Sequence, residues 1–185
     1  MKQAKYGLVL FILLALAPVR SLLESMMIFH MHTQMPLIVF SGFLIAPFFQ
    51  QTFPNFFRKY NYTGLPGILL VILIWTYWQM PRAMDDALVY PHIELFKFIS
   101  LSLLVGVPLR DSFPKLKKIY QFLFFLYLFC SLLGLGFIYI WIDEQICNNY
   151  LVIEQQTLGW SSLALSFCVL LYIAMQMFES KETKT

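Results

Sequence analysis

Six long apolar runs dominate this chain, and each approaches the length a helix needs to cross a bilayer, about 20 residues. They lie near Lys5–Val19, Leu22–Phe49, Tyr62–Gln79, His92–Leu109, Ile119–Ile142 and Leu158–Phe178. With 185 residues, 59% of them hydrophobic and 12% charged, there is too little polar sequence to cover such runs in water. The chain is therefore expected to be one integral membrane domain spanning 1–185. In lipid, backbone polar groups are satisfied only within helices or closed barrels. No stretch alternates at period two, which argues against a barrel. The expected fold is all-α: a polytopic membrane helix bundle of about six transmembrane helices.

Basic residues set the orientation. With the N-terminus inside, the inner segments hold Lys2, Lys5, Arg58, Lys59, Arg110, Lys115, Lys117, Lys118, Lys181 and Lys184. The outer segments hold only Arg20 and Arg82, and Lys97 lies within the fourth run. This predicts both termini in the cytoplasm and a multi-pass protein of the cell inner (plasma) membrane. The first run also has the form of a signal peptide, with Lys2 and Lys5 before an apolar stretch and Ala15-Leu16-Ala17. Pro18 directly after that site disfavours cleavage, so a retained helix is expected.

One stretch concentrates chemistry. Glu24–Pro36 holds four methionines and two histidines at the head of the second run. On a helix, with Met26 at zero, His30 falls near about 40°, Met27 about 100°, Met31 about 140° and Met35 about 180°. These five share a broad face, and His32 points away near about 240°. Thioether and imidazole ligands suit Cu(I) better than a hard ion. The orientation puts the Met80–His92 connection on the same, outer side and adds His92, with Met80 or Met84, to the set. The candidate metal ligands are thus Met26, Met27, His30, Met31, Met35 and His92. Each has a plainer reading. Methionines fill irregular cores, and His92 after Pro91 can face water at a helix start. A histidine inside a membrane helix is nonetheless a functional candidate by default.

Other features receive structural readings. Pro36 has no N–H, so the His32 carbonyl loses its helical partner and a kink is expected, with Gln34 placed to satisfy that carbonyl. Glu94 and Lys97, three apart, suggest an internal ion pair. Asp85-Asp86 suggests a solvated acidic turn capping a short interfacial helix. Trp75, Tyr77, Trp78, Trp141 and Trp160 suggest an interfacial belt. Three scattered cysteines fit neither a disulfide framework nor a zinc site: Cys130 and Cys168 read as small hydrophobes and Cys147 as a loop residue. No nucleophile elbow, P-loop, zinc protease pair or CxxC occurs, so an enzyme is not expected. Without a basic tract beyond short loops, nucleic-acid binding is not supported. Two alternatives to copper remain at this level: a b-type haem held by His30 and His92, and a non-catalytic structural subunit of a membrane complex.

The stretch Met26-Met27-Ile28-Phe29-His30-Met31 leading to Pro36-Leu37, the helix end Trp78-Gln79-Met80-Pro81, the sequence Asp85-Asp86-Ala87-Leu88, then Pro91 and a helix containing Gly106, resemble the CtaG-like cytochrome c oxidase assembly factors of caa-type oxidases. His30-Met31 matches the second of that family's two His-Met steps, and Met26-Met27 stands at the first with methionine replacing histidine. Trp78 and Pro81 match a Trp-x-x-Pro helix end. The histidines of the family's next helix fall here on Glu94 and Phe98. The resemblance covers about Glu24 to Gly106. It implies a multi-pass protein that delivers copper to a haem-copper oxidase subunit.

Overall fold

The computed structural model describes residues 2–142 and 144–182. Lys184, counted above among the inner basic residues, lies outside them. Among the described residues the fold is all-α, with no strands. We number nine helices: α1 Lys2–Ala15, α2 Ala17–Glu24, α3 Met27–Thr52, α4 Pro54–Tyr60, α5 Leu65–Trp78, α6 Pro81–Val89, α7 Pro91–Lys115, α8 Lys118–Trp141 and α9 Val152–Glu182.

Helices α3, α7, α8 and α9 are long and apolar enough to cross a membrane. The pair α1 and α2 is bent by 70° and makes a fifth crossing if both halves form one span. The first run therefore ends differently from the sequence expectation. Pro18 cannot donate to the Leu14 carbonyl, and Leu16 is extended at φ −63° and ψ 131°. The third run also comes out shorter. Gly64, at φ 77°, takes the left-handed conformation before Pro66, and α5 holds only 14 residues. At 1.5 Å per residue it reaches about 21 Å, against a hydrocarbon core of about 30 Å.

Both of the longer kinked-sequence helices carry a π-helical turn, at His30–Gln34 in α3 and at Ser100–Gly106 in α7. Each ends just short of a proline. The Met35 N–H bonds the His30 carbonyl and the Val107 N–H bonds the Ser102 carbonyl, both five residues back. Pro36 and Pro108 follow at once. A proline ring crowds the carbonyl four residues before it. A ladder shifted by one residue widens the turn around that carbonyl. The disturbance expected at Pro36 thus takes the form of a π turn.

The chain groups into two compact units, Met1–Leu116 with Cys147–Asn149, and Lys117–Ile146 with Tyr150–Thr185. In the first, α1 and α7 both pack on α3, and α5 packs on α7. The α3 and α7 backbones touch. A methyl group on Gly42 would run into the Ser102 carbonyl, and one on Gly106 into the Val39 carbonyl. A polar lock closes one end of this unit. Asn61 Nδ2 donates to Asp111 Oδ2 (2.6 Å) and Ser112 Oγ (2.9 Å), Gln50 Nε2 donates to Asp111 Oδ1 (3.0 Å), and Lys115 Nζ donates to Asp111 Oδ2 (2.6 Å). In the second unit α8 and α9 form an antiparallel pair. Gly136 lies against Leu163 and the Gly159 carbonyl, and the Phe125 and Tyr172 rings are 4.7 Å apart.

The loop residues Cys147–Asn149 dock on α6, where the Asn148 N–H donates to Asp85 Oδ2 (2.7 Å) and Asn149 Nδ2 to Asp85 Oδ1 (3.3 Å). Asp85 is accordingly buried rather than part of a solvated turn. Cys130 and Cys168 are exposed on α8 and α9, while Cys147 is buried.

The Gly42 contact yields a stability prediction. Gly42→Ala forces α3 and α7 apart, and overpacking of this kind costs about 1–3 kcal/mol. The purified variant in detergent is expected to melt several degrees lower, whereas Gly134→Ala, which meets nothing within 4 Å, is expected to melt as the wild type does.

Candidate functional site

Four charged side chains and two uncharged polar ones meet inside the first unit. They come from α2, the π turn of α3, and α7. Lys97 is fully buried, and its ammonium donates to Glu24 Oε1 (2.8 Å), His30 Nε2 (2.9 Å) and Gln34 Oε1 (3.1 Å). An ammonium carries three N–H donors and no acceptor, so all three are used. Its donation to Nε2 leaves the imidazole proton on Nδ1. Gln34 Nε2 donates to the same Glu24 Oε1 (3.1 Å), which fixes the amide orientation.

A second ion pair flanks the first. Arg20 NH1 donates to Glu94 Oε2 (3.0 Å), and Arg20 Nε lies 3.0 Å from Glu94 Oε1 and 4.0 Å from Glu24 Oε2. Two acids thus stand with two bases, and the cluster is neutral overall. Exposure grades along it, from nothing at Lys97 to 12% for the Glu24 side chain and 38% for that of Arg20. On the far side of Lys97, Trp78 Nε1 donates to Ser100 Oγ (2.9 Å), and Ser100 Oγ donates to the Lys97 carbonyl (3.3 Å).

Local structure explains the convergence. The 70° bend between α1 and α2 redirects Arg20 and Glu24. The π turn widens α3, and within it His30, Met31 and Gln34 are all buried. Met27 and Met35, just before and after it, are buried as well. On α7, Glu94 and Lys97 do not pair with each other as expected; each instead takes a partner on α2. Gln34 serves Lys97 and Glu24 rather than a carbonyl freed by Pro36. Trp78 is fully buried and hydrogen-bonded, so it does not belong to an interfacial belt. Trp141 and Trp160 are exposed.

The six candidate ligands separate into two groups. Met27, His30, Met31 and Met35 all face the interior. Met26 is 42% exposed, because it precedes the helix in an extended conformation (φ −131°, ψ 138°) and the helical wheel does not apply to it. His92 is exposed, with its ring 5.7 Å from that of Tyr90. It precedes Lys97 by five residues, which places it about 140° around α7 from the side chain that meets His30. The two histidines therefore do not form a facing pair of the kind a bis-imidazole haem needs. The second run's helix begins at Met27 and not at Leu22 as expected, so His30 lies three residues from the start of α3, about 5 Å along the axis.

For copper the fit is partial. Three thioethers and an imidazole on one buried stretch are suitable donors. The imidazole nitrogen at the cluster, however, is bonded to the Lys97 ammonium, and an ion could take it only after that ammonium has moved. Among the described residues there is no group of three or more His, Cys, Asp or Glu placed to hold a metal. Sequence reasoning located His30 and the methionines but missed the centre of the cluster. The available signal was the set Arg20, Glu24, Glu94 and Lys97, two acids and two bases in or beside apolar runs assigned to the same end.

These features describe an α-helical protein with four to five candidate membrane spans and a charged cluster buried within its first unit. No family model, characterised protein or solved structure matches the chain.

The crossed ion pairs make a specific prediction. Lys97→Met leaves the Glu24 carboxylate without its buried partner, and breaking such a pair costs about 3–5 kcal/mol. Thermal unfolding in detergent is expected to show a large loss for Lys97→Met, and recovery of most of it in the double variant Glu24→Gln/Lys97→Met. Equal destabilisation in the single and double variants would show that the pair is not coupled.

Proposed function

We propose that this chain is a multi-pass protein of the cell inner membrane that takes up Cu(I) at the head of α3 and assists assembly of a haem-copper oxidase by passing the ion on. In this reading α5 is a sixth span, both termini are in the cytoplasm, and the cluster lies toward the outer face. Support for the topology is the distribution of lysine and arginine among the loops. Support for the cargo is the resemblance of Glu24–Gly106 to copper-delivery factors, together with the buried thioethers of Met27, Met31 and Met35.

The observation that carries the reading is the Lys97 ammonium itself. Glu24, His30 and Gln34 converge on one positive charge in an apolar interior, and in this reading the same acceptors serve as a nest for a monovalent cation. In the closed form a side chain of the protein fills it. Lys97 has a long aliphatic stem that can carry its charge toward a more polar level. On its withdrawal, His30 and the carboxylate of Glu24 become available to an incoming ion, and the methionines before, within and after the same π turn supply soft donors. Met26 and the exposed His92 are then entry positions rather than members of the holding site. Release to a partner proceeds by ligand exchange and the return of Lys97, without redox chemistry.

One observation favours a second reading. All three Lys97 donors are satisfied, as in a fixed structural lock, and the cluster would then hold α2, α3 and α7 together in a structural subunit of a larger complex.

A Cu(I) titration of the purified protein against a competing chelator separates the two. For copper handling, one equivalent binds, Ag(I) competes and Zn(II) does not. His30→Ala weakens binding at least tenfold, a loss of about 1.4 kcal/mol. Lys97→Met, which lacks the resident cation, binds at least tenfold more tightly and regains thermal stability with the ion bound. Absence of stoichiometric binding in both the wild type and Lys97→Met, or indifference to His30→Ala, leaves the structural lock as the function of the cluster.

A further inference from the structure

A second feature of the first unit lies away from the charged cluster. Helices α1, α3 and α7 enclose a groove of about 550 Å³, within the roughly 300–1,000 Å³ typical of sites for small ligands. Leu8 and Phe11 of α1, Ile45 and Phe49 of α3, and Leu103 of α7 supply its walls. Only two residues of the lining depart from this apolar character. Lys5 is exposed, and among the described residues it makes no ion pair; Ser102 is buried, with an Oγ that has no hydrogen-bond partner.

Basic side chains gather at one end of the groove. Lys2 is exposed one turn before Lys5. Arg110, near the end of α7, reaches the same end of α1, where NH2 donates to Gln3 Oε1 (2.8 Å) while NH1 donates to the Phe43 carbonyl (3.1 Å). The neighbouring carboxylate of Asp111 is already bonded to Asn61, Gln50 and Lys115. One end of the groove is thus cationic and its length is apolar. A buried hydroxyl without a partner costs stability, and Ser102 holds one on the lining.

We propose that this groove binds one anionic phospholipid. An acyl chain occupies the space between Phe11 and Phe49, the headgroup phosphate lies against Lys5 and Lys2, and the Ser102 hydroxyl donates to an ester carbonyl of the same lipid. Charge complementarity selects this occupant over a zwitterionic lipid, whose headgroup carries its own cation, and over a neutral amphiphile such as an isoprenoid quinone, which offers Lys5 nothing to pair with.

Native mass spectrometry of the delipidated, detergent-solubilised protein tests this. Equimolar dioleoyl phosphatidylglycerol, dioleoyl phosphatidylcholine and a short-chain menaquinone are supplied together. The expected result is a single tightly retained phosphatidylglycerol, favoured at least fivefold over either competitor. Leu8→Trp, which fills the groove, is expected to abolish retention. Lys5→Gln, a change at an exposed position that leaves folding intact, is expected to retain one lipid but reduce the preference below twofold. Equal retention of phosphatidylglycerol and phosphatidylcholine by the wild type, a preference for the quinone, or a Lys5→Gln variant with unchanged preference would overturn the proposal.

Discussion

A lysine ammonium buried in an apolar interior constrains everything around it. Placing such a charge at the centre of a membrane helix costs about 3 kcal/mol even on the mildest scales, and an unsatisfied N–H adds to that. Lys97 is accommodated because three acceptors surround it, drawn from two other parts of the chain. Glu24 supplies Oε1, His30 the lone pair on Nε2, and Gln34 its side-chain oxygen turned inward. Arg20 and Glu94 then follow from Glu24, since a second acid beside it requires a second base. The bend after α1 is part of the same arrangement. A straight helix from Lys2 would carry Glu24 about 14 Å beyond Ala15 along one axis, whereas the 70° turn directs α2 elsewhere.

The prolines act on the same region through the backbone. Pro36 and Pro108 each follow a π turn, and those turns hold His30 and Gln34 in one case and Ser100 and Ser102 in the other. A π turn includes one more residue per hydrogen-bonded ring than an α turn, so it presents more side chains to the interior over the same rise. In α3 this lets the polar pair His30 and Gln34 and the methionines before, within and after the turn all be buried. In α7 it turns Ser100 toward Trp78 while Gly106 meets the α3 backbone. The close approach at Gly42 and Gly106 in turn holds the two helices near enough for a lysine from one to reach a histidine on the other.

Much of this architecture was legible in the residues. Apolar length and the absence of period-two alternation pointed to an all-α fold with candidate membrane spans, and of the five residues the helical wheel put on one face, Met27, His30, Met31 and Met35 are buried. Met26 failed because the wheel assumes a helix that has not yet begun at that residue. Crossing length failed for α5, where Gly64 and Pro66 delay the start. The ion pairs were misassigned for a more general reason. Glu94 and Lys97 are neighbours on one helix, and local spacing favours pairing them; partners more than 70 residues away appear only once α2 has been turned toward α7. Hydropathy likewise treated Trp78 as an interfacial aromatic, since nothing local reveals that Ser100 lies opposite its ring nitrogen.

Charge accounting narrows what this cluster could exchange for its lysine. Arg20 and Lys97 balance Glu24 and Glu94, so the closed arrangement carries no net charge. A monovalent ion that replaces the ammonium in its nest preserves that balance. A divalent ion in the same place leaves one positive charge uncompensated in a medium where ionic interactions are barely screened. His32 is the nearest further imidazole in sequence, and it is only partly buried and lies outside the Lys97 contacts. The neighbouring donors in the helix are thioethers, which neutralise nothing. In the proposed copper reading, charge balance favours a monovalent ion in the nest, and the soft contribution comes from His30 and the thioethers and not from the Glu24 and Gln34 oxygens.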